Sequence, residues 1–300
     1  MLRRGLIANL ISVILISGAN ISSAVDLDLA LESGFDSNYA NAPSGSPDLE
    51  GAFFTQPSLE VRSPYFTAFS QAQIYSNAGA SGGADLGGGP RYQFSWLRGA
   101  LDTRVSYRLM RSVGISPSAA SILGKAKKTV YSSVAGAIES STTHTLRAST
   151  DYELGAVTLG NDVALGVGSY DESGRNDTTF DFSGRASFPL NDSLTTSVSF
   201  GWVSNGSSQS AYAYSGTRLM GTVVYELTDT IYIHGLIRLS ERGYSVARND
   251  AHHVLLVGIE KELSEALSVE FEISQAGASS TQADFSYQSV SSTVGITLSL

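Results

Sequence analysis

Apolar and polar residues take turns along most of this chain. The stretch VDLDLALES puts Val25, Leu27, Leu29 and Leu31 on one side and Asp26, Asp28, Ala30 and Glu32 on the other. Successive strand side chains point to opposite faces, so such a stretch has one greasy and one wettable surface. The pattern recurs. Leu101, Thr103, Val105, Tyr107 and Leu109 oppose Asp102, Arg104, Ser106 and Arg108. Phe180, Phe182 and Phe188 oppose Asp181, Ser183 and Arg185, and Leu267, Val269, Phe271 and Ile273 oppose Ser268, Glu270, Glu272 and Ser274. The alternation predicts about fourteen strands, at 25–34, 50–62, 65–76, 90–97, 100–111, 141–153, 156–168, 178–190, 193–204, 212–226, 230–241, 251–262, 266–276 and 285–300.

The connections alternate as well. Short ones fall at Ser63-Pro64, Arg98-Gly99, Asn191-Asp192 and Thr228-Asp229. Long ones fall at 37–49, 77–89, 112–140, 170–178, 205–211, 243–250 and 277–284. A run of hairpins with that order places its tight turns at one end of the sheet and its loops at the other. Long strands, even in number, with this asymmetry predict an all-β fold: a transmembrane antiparallel up-and-down β-barrel of about fourteen strands, twelve or sixteen being the alternatives. Closure satisfies every backbone group in lipid, which an open sheet cannot do. The final TVGITLSL, apolar at Val294, Ile296, Leu298 and Leu300, is then expected to close the wall against the first strand. A soluble β-sandwich would alternate too, but it would bury its apolar face.

Composition narrows the picture. The 300 residues carry a net charge of −9 and only 16% charged residues, which offers no basic footprint for a nucleic acid. There is no cysteine, which excludes disulfides, thiolate metal sites and a cysteine nucleophile. The histidines, His144, His234, His252 and His253, lack metal-ligand spacing, and neither a metal nor any other cofactor is expected. The start reads as an export signal: Arg3 and Arg4, an apolar run from Leu6 to Ile16, and Ser22-Ser23-Ala24 before cleavage. The domains are therefore a signal peptide at 1–24, removed near Ala24 after export by the general secretory route, and a barrel at 25–300.

Two sets of side chains follow from parity. On the lipid side, Trp96, Tyr152, Phe188 and Tyr225 fall near short turns, while Phe53, Phe200 and Trp202 fall near long loops. Aromatic rings gather at the two headgroup layers in this way. On the inner side fall Arg62, Arg104, Arg108, Arg147, Arg185, Arg218 and Arg238, and the acids Asp26, Asp28, Glu32, Glu270 and Glu272. These are the expected pore-lining residues. The first and thirteenth strands are purely acidic, so opposed arcs of charge across a lumen are one expectation. Mutual neutralisation by neighbours, such as Arg104 with Asp151, is the other. Serine, histidine and acid residues form no linked catalytic set, so catalysis is not expected and no catalytic residue is assigned.

Over its whole mature length the chain resembles the outer-membrane β-barrel proteins of Gram-negative bacteria, in particular porins. The ending Val294, Ile296, Leu298, Leu300 is similar to the terminal signal read by barrel-assembly machinery, with leucine in place of the usual aromatic. GFDSN, Gly34 to Asn38, is similar to a segment of barrels linked to polysaccharide export or surface-lipoprotein assembly, but its Gly, Asp, Ser and Asn are common turn formers and a simple turn is the preferred reading. The resemblance implies the outer membrane, with lipid and lipopolysaccharide around the wall, the assembly machinery as a partner and small hydrophilic solutes as cargo. A passive channel is the expected role. An export or assembly component for a polysaccharide or surface protein is the alternative, and a barrel enzyme a second one. The 112–140 connection, with Lys125, Lys127 and Lys128, is expected either to fold inward and constrict the lumen or to rise above the membrane.

Overall fold

The computed structural model describes residues 25–38, 51–75, 82–96, 101–115 and 139–300. It contains fourteen strands: β1 (Asp26–Asp36), β2 (Ala52–Arg62), β3 (Phe66–Tyr75), β4 (Gly82–Trp96), β5 (Leu101–Ile115), β6 (Ser141–Leu154), β7 (Val157–Tyr170), β8 (Asn176–Asn191), β9 (Leu194–Ser207), β10 (Tyr214–Thr228), β11 (Ile231–Tyr244), β12 (Arg248–Ser264), β13 (Leu267–Ser280) and β14 (Tyr287–Ser299). Each pairs antiparallel with its sequence neighbours, and β14 pairs with β1 to close the barrel. The seam runs from Asp28 opposite Ser299 to Asp36 opposite Ser291. Below it Leu27 and Leu300 exchange backbone hydrogen bonds of 3.0 and 2.8 Å.

The tight turns are written in side chains that hydrogen-bond their own backbone two residues on. Asn191 Oδ1 accepts from the Ser193 amide at 3.0 Å, and Ser264 Oγ from the Ala266 amide at 3.3 Å. Between β6 and β7, Gly155 supplies a positive φ of 61°. At the opposite end the strands run further than their alternation suggests. The expected loop at 243–250 shrinks to three residues, Ser245–Ala247, because Tyr244 and Arg248 still pair directly. β4 begins at Gly82 rather than near residue 90, since GGADLGGG pairs with β3 and β5 although glycine carries no apolar signal. A Cβ on Gly87 would sit 2.7 Å from the Phe69 ring, so only glycine fits under that ring. The leader 1–24, the Arg98-Gly99 turn and most of the 112–140 connection with its three lysines lie outside the described residues.

Stepping through partners from Asp28 to Glu60, Phe69, Gly87, Met110, Thr143, Gly168, Asp177, Ser207 and onward, the path meets β1 again about 18 residues along. With fourteen strands that stagger sets a tilt of about 40° and a backbone radius of about 14 Å. Each residue then climbs about 2.5 Å along the axis, so even the ten-residue β3 crosses an apolar band about 25 Å tall.

Burial decides between lipid and water outside. Among the described residues only Ala52, Phe54 and Ala278 are buried apolar side chains. Leu86, Phe53, Phe200 and Val257 are each about three-fifths exposed, as part of a continuous band of outward Leu, Val, Ile and aromatic side chains. An aqueous protein rarely tolerates an apolar patch beyond a few hundred Å². The barrel is therefore turned outward: its apolar face meets hydrocarbon and its polar face lines the inside.

Candidate functional site: the inner wall and its outer rim

The registers give the position of every charged side chain singled out above. Apolar outward pairs such as Leu29–Leu59, Leu146–Leu165, Leu219–Leu239 and Val269–Ile296 define one parity on each strand. Asp26, Asp28, Glu32, Arg62, Arg104, Arg108, Arg147, Arg185, Arg218, Arg238, Glu270 and Glu272 all have the other parity and face inward. His234 and His252 share that face, while His144, paired with Leu109, and His253, paired with Leu239, face outward. Of the aromatic residues, Trp96, Tyr152, Phe188 and Tyr225 sit within a few residues of the short turns. Phe53 and Trp202 lie in the far half of their strands. Phe200 is at the middle of β9, because that strand continues to Ser207 rather than ending near Ser204.

Four inward arginines reach a carboxylate on a nearby strand. Arg147 donates to Asp162 through Nε at 3.0 Å and Nη2 at 2.8 Å. Arg218 donates to both oxygens of Asp181, at 3.2 and 3.0 Å. Arg62 pairs with Asp28 and Arg185 with Asp151. Asp151 thus serves Arg185 across β7, not Arg104, because Gly160 between them leaves the path clear. These pairs are partly solvated and each contributes at most about 1 kcal/mol. Their main effect is to cancel charge locally.

Arg238 and Arg242 on β11 make no ion pair among the described residues, and two further groups of like charge stay uncancelled. On β5, Arg104 and Arg108 make no ion pair among the described residues, and Arg108 lies over the Phe69 ring at 4.8 Å. On β12, β13 and β1 stand Glu260, Glu270, Glu272 and Glu32, where Glu260 pairs directly with Glu270 and Glu32 with Gly295. Among the described residues the positive-capable partner there is His234, 3.3 Å from Glu270 and 3.9 Å from Glu272. β12 is seven strands from β5 in either direction round the wall and β13 six by the shorter one, so Glu260, Glu270 and Glu272 face the β5 arginines across the barrel, while Glu32 on β1 lies four strands from them.

The outer rim holds arginines and acids that alternation assigned to loops. Arg175 lies between the rings of Tyr170 and Tyr212 at 3.6 and 3.9 Å, with Nε 3.3 Å from Asp177. Arg248 lies between Tyr244 and Phe285, also at 3.6 and 3.9 Å, with Nε 3.2 Å from Asp250. The surrounding bonds repeat. The Ser208 amide donates to the Asn176 carbonyl and the Thr281 amide to that of Asn249. Asn176 and Asn249 in turn donate their amides to the hydroxyls of Ser208 and Thr281. Single-turn 3-10 helices, Ser210–Tyr212 and Ala283–Phe285, carry the outer rings. One spacing relates Arg175 to Arg248, Asp177 to Asp250, Gln209 to Gln282 and Tyr212 to Phe285. The twice-used Arg-Asn-Asp was the sequence signal for this unit.

No protein-family model and no curated protein matches the chain. Solved structures do match. An outer membrane channel from Pseudomonas putida F1 aligns over 94% of this chain and 97% of its own, with TM-score 0.53 and 10% identity. The outer membrane channel DcaP of Acinetobacter baumannii aligns over 92% and 97%, with TM-score 0.52 and 11% identity. A bacterial polysaccharide outer membrane secretin aligns over 93% and 99%, with TM-score 0.52 and 7% identity. At such identities the likeness is one of fold. The chain has the porin-like fold of outer-membrane β-barrels: closed, fourteen-stranded, apolar outside and charged within.

Proposed function

We propose that the chain is an outer-membrane channel through which small hydrophilic solutes diffuse passively, exported with the help of its 1–24 leader and seated among lipid and lipopolysaccharide by the barrel-assembly machinery. The observation that carries this reading is the pair of uncancelled, opposed charge sectors on the inner wall. A backbone radius of about 14 Å, less about 6 Å of side chain, leaves a passage about 16 Å across between the described strands. Carboxylates on β12 and β13 facing Arg104 and Arg108 set a field across that passage. Such a field sorts solutes by sign and orients dipolar ones. No step of the reading requires catalysis or a bound cofactor.

The test is conductance of the purified barrel in a planar bilayer, with the reversal potential read under a salt gradient. Each arginine charge at about 8 Å through water changes an ion's energy by about 0.2 kcal/mol at 0.1 M salt. Replacing both Arg104 and Arg108 by Ala therefore raises the cation-to-anion permeability ratio about fourfold. A folded barrel that stays silent in the bilayer refutes the channel and favours an export or assembly role instead.

A further inference from the structure

We propose that His234, Glu270 and Glu272 form a binding site for a divalent transition-metal cation of the zinc class on the inner wall. Sequence spacing hides this set, since the histidine lies on β11 and the carboxylates on β13, with β12 between them. The registers bring them together: His234 pairs with Gly258, and Gly258 with Glu272. Their ligand atoms all lie within 4.8 Å of one another.

Gly258 makes the approach possible. A Cβ at that position would collide with His234 Nε2 and lie 3.0 Å from Glu272 Cγ. The imidazole therefore lies across the bare backbone of β12 and points its Nε2 at the acids of β13. Zinc–nitrogen and zinc–oxygen bonds of about 2.1 Å place ligand atoms about 3.4 Å apart around a tetrahedral ion. The Nε2 to Glu270 separation, 3.3 Å, already has that value, and the 3.9 Å to Glu272 needs only a small side-chain rotation. The wall charge points the same way. Asp28, Asp151, Asp162 and Asp181 are each cancelled by an arginine, whereas Glu32, Glu260, Glu270 and Glu272 meet no arginine or lysine ion pair among the described residues. An imidazole with two carboxylates suits zinc or manganese, while calcium and magnesium prefer oxygen ligands throughout. The lumen side of the wall leaves the remaining positions to water.

The site stands on wall geometry and does not depend on conduction. It is tested on the folded, chelator-washed barrel in detergent by calorimetric titration with zinc chloride, and with calcium chloride for comparison. Wild type takes up one zinc per chain. H234A and E272Q each lose at least tenfold in zinc affinity, and calcium binds at least tenfold more weakly than zinc in wild type. Zinc X-ray absorption of the wild-type complex shows imidazole scattering, a readout that requires no variant to fold. Zinc uptake that is unchanged in both variants, equal affinity for calcium, or an oxygen-only zinc shell overturns the site. Zinc binding by a barrel that is silent in bilayers supports the site and refutes the channel, so the two failures are separable.

Discussion

Replacing Arg248 by Ala tests whether the stacked rim holds the outer end of the barrel together. The guanidinium is nearly buried, its side chain 9% exposed and that of Asp250 4%. Removing it deletes two ring stacks, each contributing about 1 kcal/mol when shielded from water. It also leaves a buried carboxylate without its cation, and breaking such a pair costs about 3–5 kcal/mol. Asp250 keeps the hydroxyl of Ser280, which donates to it at 2.6 Å, so the lower end of that range applies. Counting the orphaned carboxylate alone, the local loss is at least about 3 kcal/mol, which corresponds to at least roughly a hundredfold in the opening equilibrium. Hydrogen exchange of the Thr281 and Ser286 amides, which donate to Asn249 and Ala283, reads that opening directly. Both should exchange at least about a hundredfold faster, while the Leu27 amide at the far end keeps its rate. Arg248→Lys retains the charge but not the flat face, and should fall between. If the rim amides accelerate less than about fivefold in a folded barrel, the stack does not secure this end.

Other outcomes follow from separate features. Ala247 has φ 56°, where glycine is the usual residue of a three-residue hairpin loop, so Ala247→Gly should stabilise the barrel by about 1 kcal/mol in urea unfolding. Gly174, at the matching place before Arg175, already has φ 63°. Val257→Arg puts a cation on the lipid face and should cost about 2–4 kcal/mol, whereas Ser274→Arg on the inner face should cost under 1 kcal/mol; equal costs would contradict the assignment of faces. In the turn after β7, the Arg111 guanidinium hydrogen-bonded to Asp171 holds that carboxyl below the usual carboxylate range. The stabilisation from this contact is complete above the ordinary aspartate value and fades as the pH falls through the lowered one. Asp171→Asn should therefore abolish the acid-side change in exchange at the Asp171 amide, which donates to Ser140.

The sequence by itself determined the strands, their parity and their closure into a barrel. Lipid on one side and water on the other force a two-residue period that needs no knowledge of neighbours. That is why Arg104, Arg185 and Glu272 could each be assigned a face. The tertiary structure decided who meets whom. Asp151 takes Arg185 because Gly160 lies between them, and His234 meets Glu272 because Gly258 does. The Arg175 and Arg248 stacks form because four hairpins extend beyond their alternating stretches and bring their tips together. Periodicity describes one strand at a time. Contacts between strands depend on the stagger accumulated round the wall and on where a missing side chain lets a long one pass, and neither can be read from any single segment.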